Sequence, residues 1–158
     1  MAATAQEPRP IIPALGSFYE QSRDLSWLVV RATAGGMLLV HGLIKLTTNS
    51  IAGFAANSMA RRGIEPAIAA AYMIFFLETV GAVCIILGLF TRFVAAMIFV
   101  EFLIIIFVAH WGGGFAGFAW NRAGGGWEYP LFWELSWLAI LLRGGGPYSL
   151  DRKLGREL

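Results

Sequence analysis

The chain has 158 residues, of which 58% are hydrophobic and only 14% are charged, and its mean hydropathy is +0.66. Soluble domains average about 25% charged residues, so the composition excludes an ordinary water-soluble protein and indicates one small integral membrane domain. The net charge is +2 and the chain has no run of basic residues, so we predict no nucleic acid as partner. The apolar composition predicts a lipid bilayer as partner.

The N-terminal part is polar and contains Pro8, Pro10 and Pro13. We expect residues 1–16 to form a tail and residues 17–24 to form a short interfacial helix. No cleavable signal peptide is predicted, because the first apolar run is longer than a signal h-region.

The first apolar stretch runs from Leu25 to Leu46 and holds Arg31, His41 and Lys45. About 20 apolar residues are enough to cross about 30 Å of hydrocarbon, so this stretch predicts a spanning helix despite its charges. His41 and Lys45 are four residues apart and therefore share one helix face. Glycines such as Gly42 favour close approach of another helix.

Residues 49–66 have the pattern of a short amphipathic helix at the membrane surface, ended by glycine and proline. The second apolar stretch follows from Ala67 to Phe90 and holds Glu78. It also contains the single cysteine, Cys84, which excludes an intrachain disulfide and a thiol-exchange motif.

The third stretch runs from Phe93 to Ala109, holds Glu101 and is followed by His110. The short Thr91-Arg92 connection predicts that the second and third helices form an antiparallel hairpin. Residues 111–127 are rich in glycine and aromatic residues, a composition typical of an interfacial loop. This loop is interpreted either as an aromatic belt or as a lid over a ligand entrance.

The fourth stretch runs from Tyr129 to Leu142 and holds Glu134, and residues 147–158 are expected to form a polar tail. The sequence thus predicts an all-α, integral membrane four-helix up-down bundle over residues 25–146, with residues 1–24 and 147–158 outside it. Lys and Arg concentrate on the side that would hold both termini, which predicts cytoplasmic termini and a multi-pass protein of the bacterial inner membrane.

Four ionisable side chains are predicted to lie at similar depth, when depth is counted at about 1.5 Å per residue from the outer helix ends. They are His41, Glu78, Glu101 and Glu134. A charge at mid-membrane costs about 2.5–3.5 kcal/mol, so this layer should face the bundle interior. Arg31 lies deeper and is expected to reach Glu78 or Glu101.

Two interpretations of this polar layer remain open. It is either a buried ion-pair network that fixes helix pairing or a proton-linked redox or ligand site. Haem is not expected, because the estimated depths of His41 and His110 differ by about 10 Å, whereas axial ligands must face one another across the iron. No metal is predicted, since the spacing of His41 and the carboxylates is not diagnostic of a metal site.

Several short motifs, taken together in their order and spacing, resemble those of the DoxX family of small four-helix bacterial membrane proteins. They are Arg31, Gly36, His41-Gly42 and Lys45; Glu78-Thr79-Val80-Gly81; Leu87-Gly88-Leu89-Phe90-Thr91-Arg92; Gly125-Gly126-Trp127-Glu128-Tyr129-Pro130; and Gly144-Gly145-Gly146-Pro147-Tyr148-Ser149-Leu150-Asp151. The family takes its name from similarity to membrane subunits of thiosulfate:quinone oxidoreductase.

The resemblance implies a subunit of a quinone-linked membrane oxidoreductase or respiratory system, working with other membrane protein subunits. Quinone is the implied ligand, and the sequence offers no flavin motif. In this hypothesis His41, Glu101 and Glu134 handle protons. The ligand-binding candidates are Arg31, Lys45, Glu78, Trp120, Trp127 and Glu128. The alternatives are a non-enzymatic assembly or scaffold subunit of a larger membrane complex and, with less support from four helices, a small-solute transporter.

Overall fold

The structure, a computed structural model, describes residues 10–48 and 50–157, and all regular elements within these ranges are helical. Residues 1–9 of the predicted tail lie outside the described residues. The α-helices, numbered in chain order, are α1 (Gly16–Thr47), α2 (Ser50–Phe54), α3 (Ala67–Phe76), α4 (Ala82–Leu87), α5 (Thr91–Ile104), α6 (Glu128–Arg143) and α7 (Leu150–Leu154). Residues 17–24 belong to α1 and do not form a separate interfacial helix.

Wider π-helical turns extend or join these helices. They are Ala55–Met59 after α2, Leu77–Gly81 between α3 and α4, and Ile105–His110 after α5. Within the described residues, three continuous helical segments are long and apolar enough to cross a membrane: Pro13–Thr47, Ala67–Leu87 and Thr91–Gly117. Helix α6 has 16 residues and packs along α5.

Apolar side chains from α1, α4, α5 and α6 meet in one core. Trp137, Ile85 and Ile98 are fully buried there, whereas many other large apolar side chains of the same helices are exposed. Helix α1 packs closely on α4 and on the π turn Leu77–Gly81, because it carries glycine at the contact. A Cβ added at Gly42 would lie 2.7 Å from Thr79 Cγ2 and 2.8 Å from the Glu78 carbonyl oxygen.

The connection between α4 and α5, residues 88–90, marks one end of the helix assembly, which we call the hairpin end. The C-terminal segment folds onto it instead of extending away. The buried Asp151 carboxylate accepts hydrogen bonds from Phe90 N (2.7 Å), Thr91 N (2.9 Å) and Thr91 Oγ1 (2.6 Å). It therefore supplies acceptors for free N–H groups at the start of α5, as a capping residue does.

Arg31 also belongs to the hairpin end, so the expectation that it reaches Glu78 or Glu101 is wrong. Its side chain is fully buried and donates to the carbonyl oxygens of Ile85 (2.6 Å), Ile86 (3.1 Å) and Tyr148 (2.5 Å). Two of these carbonyls lie at the end of α4, where helix carbonyls lack intrahelical partners. Arg31 thus joins α1, α4 and the C-terminal segment.

Candidate functional site

A cavity of about 690 Å³ lies between the helices towards the opposite end, the loop end, which carries residues 111–127. Its walls come from α1, the segment 50–64, α3 with its π turn, α5 with its π turn, and the first turns of α6. The volume is within the range of about 300–1,000 Å³ that is common for small-molecule sites.

The cavity opens sideways between α3 and α5. Met73 of α3 and Val100 of α5 both line it, yet they are 58% and 54% exposed on the apolar outer surface of the protein. Phe93 and Ile104 of α5 also line it and are exposed. An apolar molecule could therefore enter from the side of the helices without passing a polar surface.

The three π turns all contribute to the cavity wall. Ser58 and Met59, Leu77 and Glu78, and the residues around His110 belong to the three turns in chain order. Such turns occur mostly as local departures from α-helices and are frequent at functional sites. Their convergence on one cavity marks this part of the fold as the candidate site.

Lys45 and Glu78 form an ion pair at the polar end of the cavity. The side chains are 14% and 7% exposed, and Lys45 Nζ also lies 4.8 Å from the ring centre of Phe54. His41, four residues before Lys45 on α1, lines the same cavity and is exposed. The two opposite charges largely cancel, so this end of the cavity is polar but carries little net charge.

Glu101 lines the cavity close to Glu78 but is not paired in the same way. It is 5% exposed, and among the described residues its carboxyl group is hydrogen-bonded to the carboxyl group of Glu78 and to no cationic or backbone donor. Most buried carboxylates have a cationic or N–H donor, so this arrangement requires an explanation. A carboxyl group that shares a proton with a second one beside a cavity is able to exchange a proton with, or accept a hydrogen bond from, a bound molecule.

Glu134 lies outside this cavity, although its predicted depth is similar. It is buried in α6, and its carboxylate oxygens and the nearby Trp137 Nε1 have no hydrogen-bond partner among the described residues. Its neighbour Trp133 lines the cavity in its place. The structure therefore does not bring Glu134 together with His41 and Glu101.

The aromatic loop holds the remaining predicted residues. Trp127 Nε1 donates to the Gly114 carbonyl oxygen at 2.9 Å, and its ring packs edge-on against Phe118 with centroids 4.7 Å apart. Glu128 accepts a hydrogen bond from Trp120 N at 3.1 Å. Both Trp127 and Glu128 therefore stabilise the loop and do not line the main cavity.

Trp120 is 66% exposed and lines a second cavity of about 280 Å³ beneath the loop. His110 lines both cavities, and its imidazole lies within hydrogen-bonding reach of the Gly125 backbone. His110 was not among the predicted site residues. The only available signal was an ionisable residue at the end of the third apolar stretch.

The composition of the main cavity fits an amphipathic organic molecule with an apolar body and a polar head. Among the residues that the structure describes, no group of three or more His, Cys, Asp or Glu side chains is arranged to hold a metal ion. Lys45, His41 and Glu101 are the residues available to a polar head, and exposed apolar side chains line the lateral opening.

Comparison with known proteins identifies the family of the chain. The model of the DoxX family matches residues 26–111, which include Lys45, Glu78, Glu101 and His110. An uncharacterised protein of Haemophilus influenzae is 29% identical over 138 residues, which cover 87% of this chain and 97% of the relative. No solved structure matches the chain.

Proposed function

The chain belongs to the DoxX family of membrane proteins, as its motifs indicated, and we propose that it is a subunit of a quinone-linked oxidoreductase or respiratory system in the bacterial inner membrane. In this proposal α1, the segment 67–87, the segment 91–110 and α6 form a four-helix transmembrane bundle. Both termini and the hairpin end face the cytoplasm, where the excess of Lys and Arg belongs. The loop end then faces outwards.

The observation that carries the proposal is the laterally open cavity with the carboxyl groups of Glu78 and Glu101 in contact at its polar end. A quinone is a largely apolar molecule that resides in the bilayer, and its ring oxygens gain or lose protons when it is reduced or oxidised. The opening beside Met73 and Val100 would admit it from the lipid. Glu101 and His41 would then meet the ring oxygens.

The proposed roles follow from the contacts. Glu101, whose carboxyl group contacts that of Glu78, exchanges protons with the ligand, and His41 assists from α1. The Lys45–Glu78 pair fixes the electrostatic surroundings of the ring. With a single cysteine in the chain, electrons are expected to pass to or from a redox centre of a partner subunit.

Quinone binding tests this proposal directly. The full chain is purified in mild detergent, bound lipids and quinones are identified by mass spectrometry, and a short-chain ubiquinone is titrated against tryptophan fluorescence. We expect binding by the wild type and a weakening of roughly tenfold, about 1.4 kcal/mol, in the double variant His41→Ala/Glu101→Gln. Leu43→Ala, on the same helix but outside the cavity, is the matched control.

Unchanged quinone affinity in the double variant would remove His41 and Glu101 from the site. No binding by the wild type would refute the quinone role. A stoichiometric protein partner that co-purifies without quinone would instead favour the alternative, an assembly or scaffold subunit of a larger membrane complex.

A further inference from the structure

The main cavity and the cavity under the loop meet at His110. His110, Tyr129 and Pro130 line both, and Trp120, Gly125 and Gly126 complete the smaller one. One side of the imidazole therefore belongs to the laterally open cavity and the other to a pocket under an exposed loop. No other ionisable side chain except Tyr129 is shared by the two cavities within the described residues.

The π turn at the end of the third segment places His110 in this position. Residues 101 and 110 are nine apart, about two and a half turns of an ideal α-helix, so they would lie on opposite faces. Residues Ile105–His110 form a wider turn, and both Glu101 and His110 line the main cavity. The wider turn changes the direction of the His110 side chain, and the cavity extends far enough around the segment to reach both residues.

The loop closes over the imidazole without filling the space. A Cβ added at Gly125, which has φ +74°, would lie 3.5 Å from His110 Cε1. Gly126 has no room for a side chain, because a Cβ there would collide with the backbone of the loop at Phe118 and Ala119. These glycines allow the loop backbone to lie beside the ring while a cavity remains on its outer side.

Resting on the proposed function, we propose that His110 transfers protons between the ligand at Glu101 and the water at the loop end. The two residues are roughly 13 Å apart along the helix at 1.5 Å per residue, so the ligand head or water in the cavity must bridge them. When the ligand is reduced, one ring nitrogen accepts a proton from water in the smaller cavity while the other releases one to that bridge, and oxidation of the ligand reverses the direction. The net result is the movement of one proton, with the imidazole returned to its neutral form.

The charged and titratable groups around this route are few. Arg62 and Tyr129 line the main cavity near the His110 end, whereas Glu78, Lys45 and His41 surround Glu101 at the other. Lys45 is held by Glu78 and Arg62 donates to the Ser58 carbonyl oxygen at 2.9 Å. His110, which lines both cavities and contacts the Gly125 backbone, is the side chain best placed to pass a proton between them.

The first arm of the test does not need a quinone. His110→Cys is made in a Cys84→Ala background, the full chain is placed in lipid nanodiscs, and a charged, membrane-impermeant thiol reagent is added. We expect the new thiol to react at least about tenfold faster than one introduced by Leu103→Cys, which lines neither cavity. Equal or slower labelling at position 110 would show that water does not reach it, and would overturn the inference.

The second arm measures proton transfer. A bound short-chain ubiquinone is reduced by a potential step through a water-soluble mediator, while quinone absorbance and a pH-indicator dye are followed together. We expect His110→Ala to keep quinone affinity within about twofold, to slow proton uptake roughly 100-fold, and to recover when imidazole is added, with Leu103→Ala as the control. Rescue by imidazole is not expected if the residue merely supports the fold.

The outcomes separate the two proposals. If the wild type binds no quinone, the proposed function fails and the proton role of His110 fails with it. If quinone binds and His110→Ala takes up protons at the wild-type rate, the inference about His110 is refuted and the proposed function stands. Slow uptake that imidazole does not restore assigns His110 to structural support and also refutes the inference.

Discussion

Glu78 and Glu101 line the same cavity, but only Glu78 is paired with a cation. Neutralising the two carboxylates should therefore have opposite effects on the free energy of unfolding. Glu78→Gln leaves the Lys45 ammonium group largely buried without its anion. Loss of one partner of a buried ion pair costs about 3–5 kcal/mol, and the residual exposure of Lys45 places our expectation at about 3 kcal/mol. Glu101 has no cationic partner to lose, since its contact is with the Glu78 carboxyl group.

Replacement of Glu101 by an apolar side chain of similar size should therefore stabilise the protein. A buried polar group that is poorly compensated costs about 1–3 kcal/mol, and Glu101 is compensated only by a second carboxyl group, so Glu101→Met should recover a gain in that range. The two variants would then differ by about 4–6 kcal/mol, although both remove one carboxylate from the same cavity. A carboxyl group that weakens the fold yet occupies a cavity wall is expected of a functional residue.

Reversible unfolding of the full chain in mixed micelles, titrated with sodium dodecyl sulfate and followed by tryptophan fluorescence, measures both effects. Lys45→Met combined with Glu78→Met is the control, since removing both charges together should restore most of the stability that either single change loses. A loss of more than about 1 kcal/mol in Glu101→Met would refute the reasoning, because it would show that Glu101 has a stabilising partner.

Three further variants test other parts of the fold. Asp151→Ala removes an acceptor of three hydrogen bonds at Thr91 and the residue before it, so it should cost about 4 kcal/mol in the same unfolding assay. Gly42→Ala places a Cβ 2.8 Å from the Glu78 carbonyl oxygen and should cost about 1–3 kcal/mol and weaken quinone binding; unchanged stability would mean that the helices separate easily. Trp127→Ala removes ring contacts and a hydrogen bond that total about 2 kcal/mol, so limited proteolysis of residues 111–127 should become roughly 30-fold faster, with no change expected if the loop is held by other contacts.

The helices were predictable because each is an apolar run bounded by glycine, proline or charged residues. The predicted stretch from Leu25 to Leu46 lies within α1, and the stretch from Tyr129 to Leu142 corresponds to α6 within a residue at each end. The estimate of depth from the helix ends also brought His41, Glu78 and Glu101 to one level, and these three line one cavity. Their chemical roles stay predictions.

Depth alone does not determine which face of a helix a residue occupies. The sequence therefore did not predict which ionisable residues line the cavity. Glu134 has a similar depth but faces away from the cavity. His110 lies in a π turn, a departure from the 3.6-residue period that packing, not local sequence, decides. Arg31 has one partner, Tyr148, that is 117 residues away along the chain, which no local pattern reveals.

The contacts between the C-terminal segment and the hairpin end also affect the order in which the protein folds during synthesis. Asp151 and the Tyr148 carbonyl emerge from the ribosome after the four long helical segments, so the start of α5 and the Arg31 guanidinium wait for their partners during insertion. Glu157, which accepts from Gly145 N at 2.7 Å and pairs with Arg92 at 3.1 Å, arrives later still. A chain interrupted before Tyr148 would therefore leave the Arg31 guanidinium and the start of α5 without these partners.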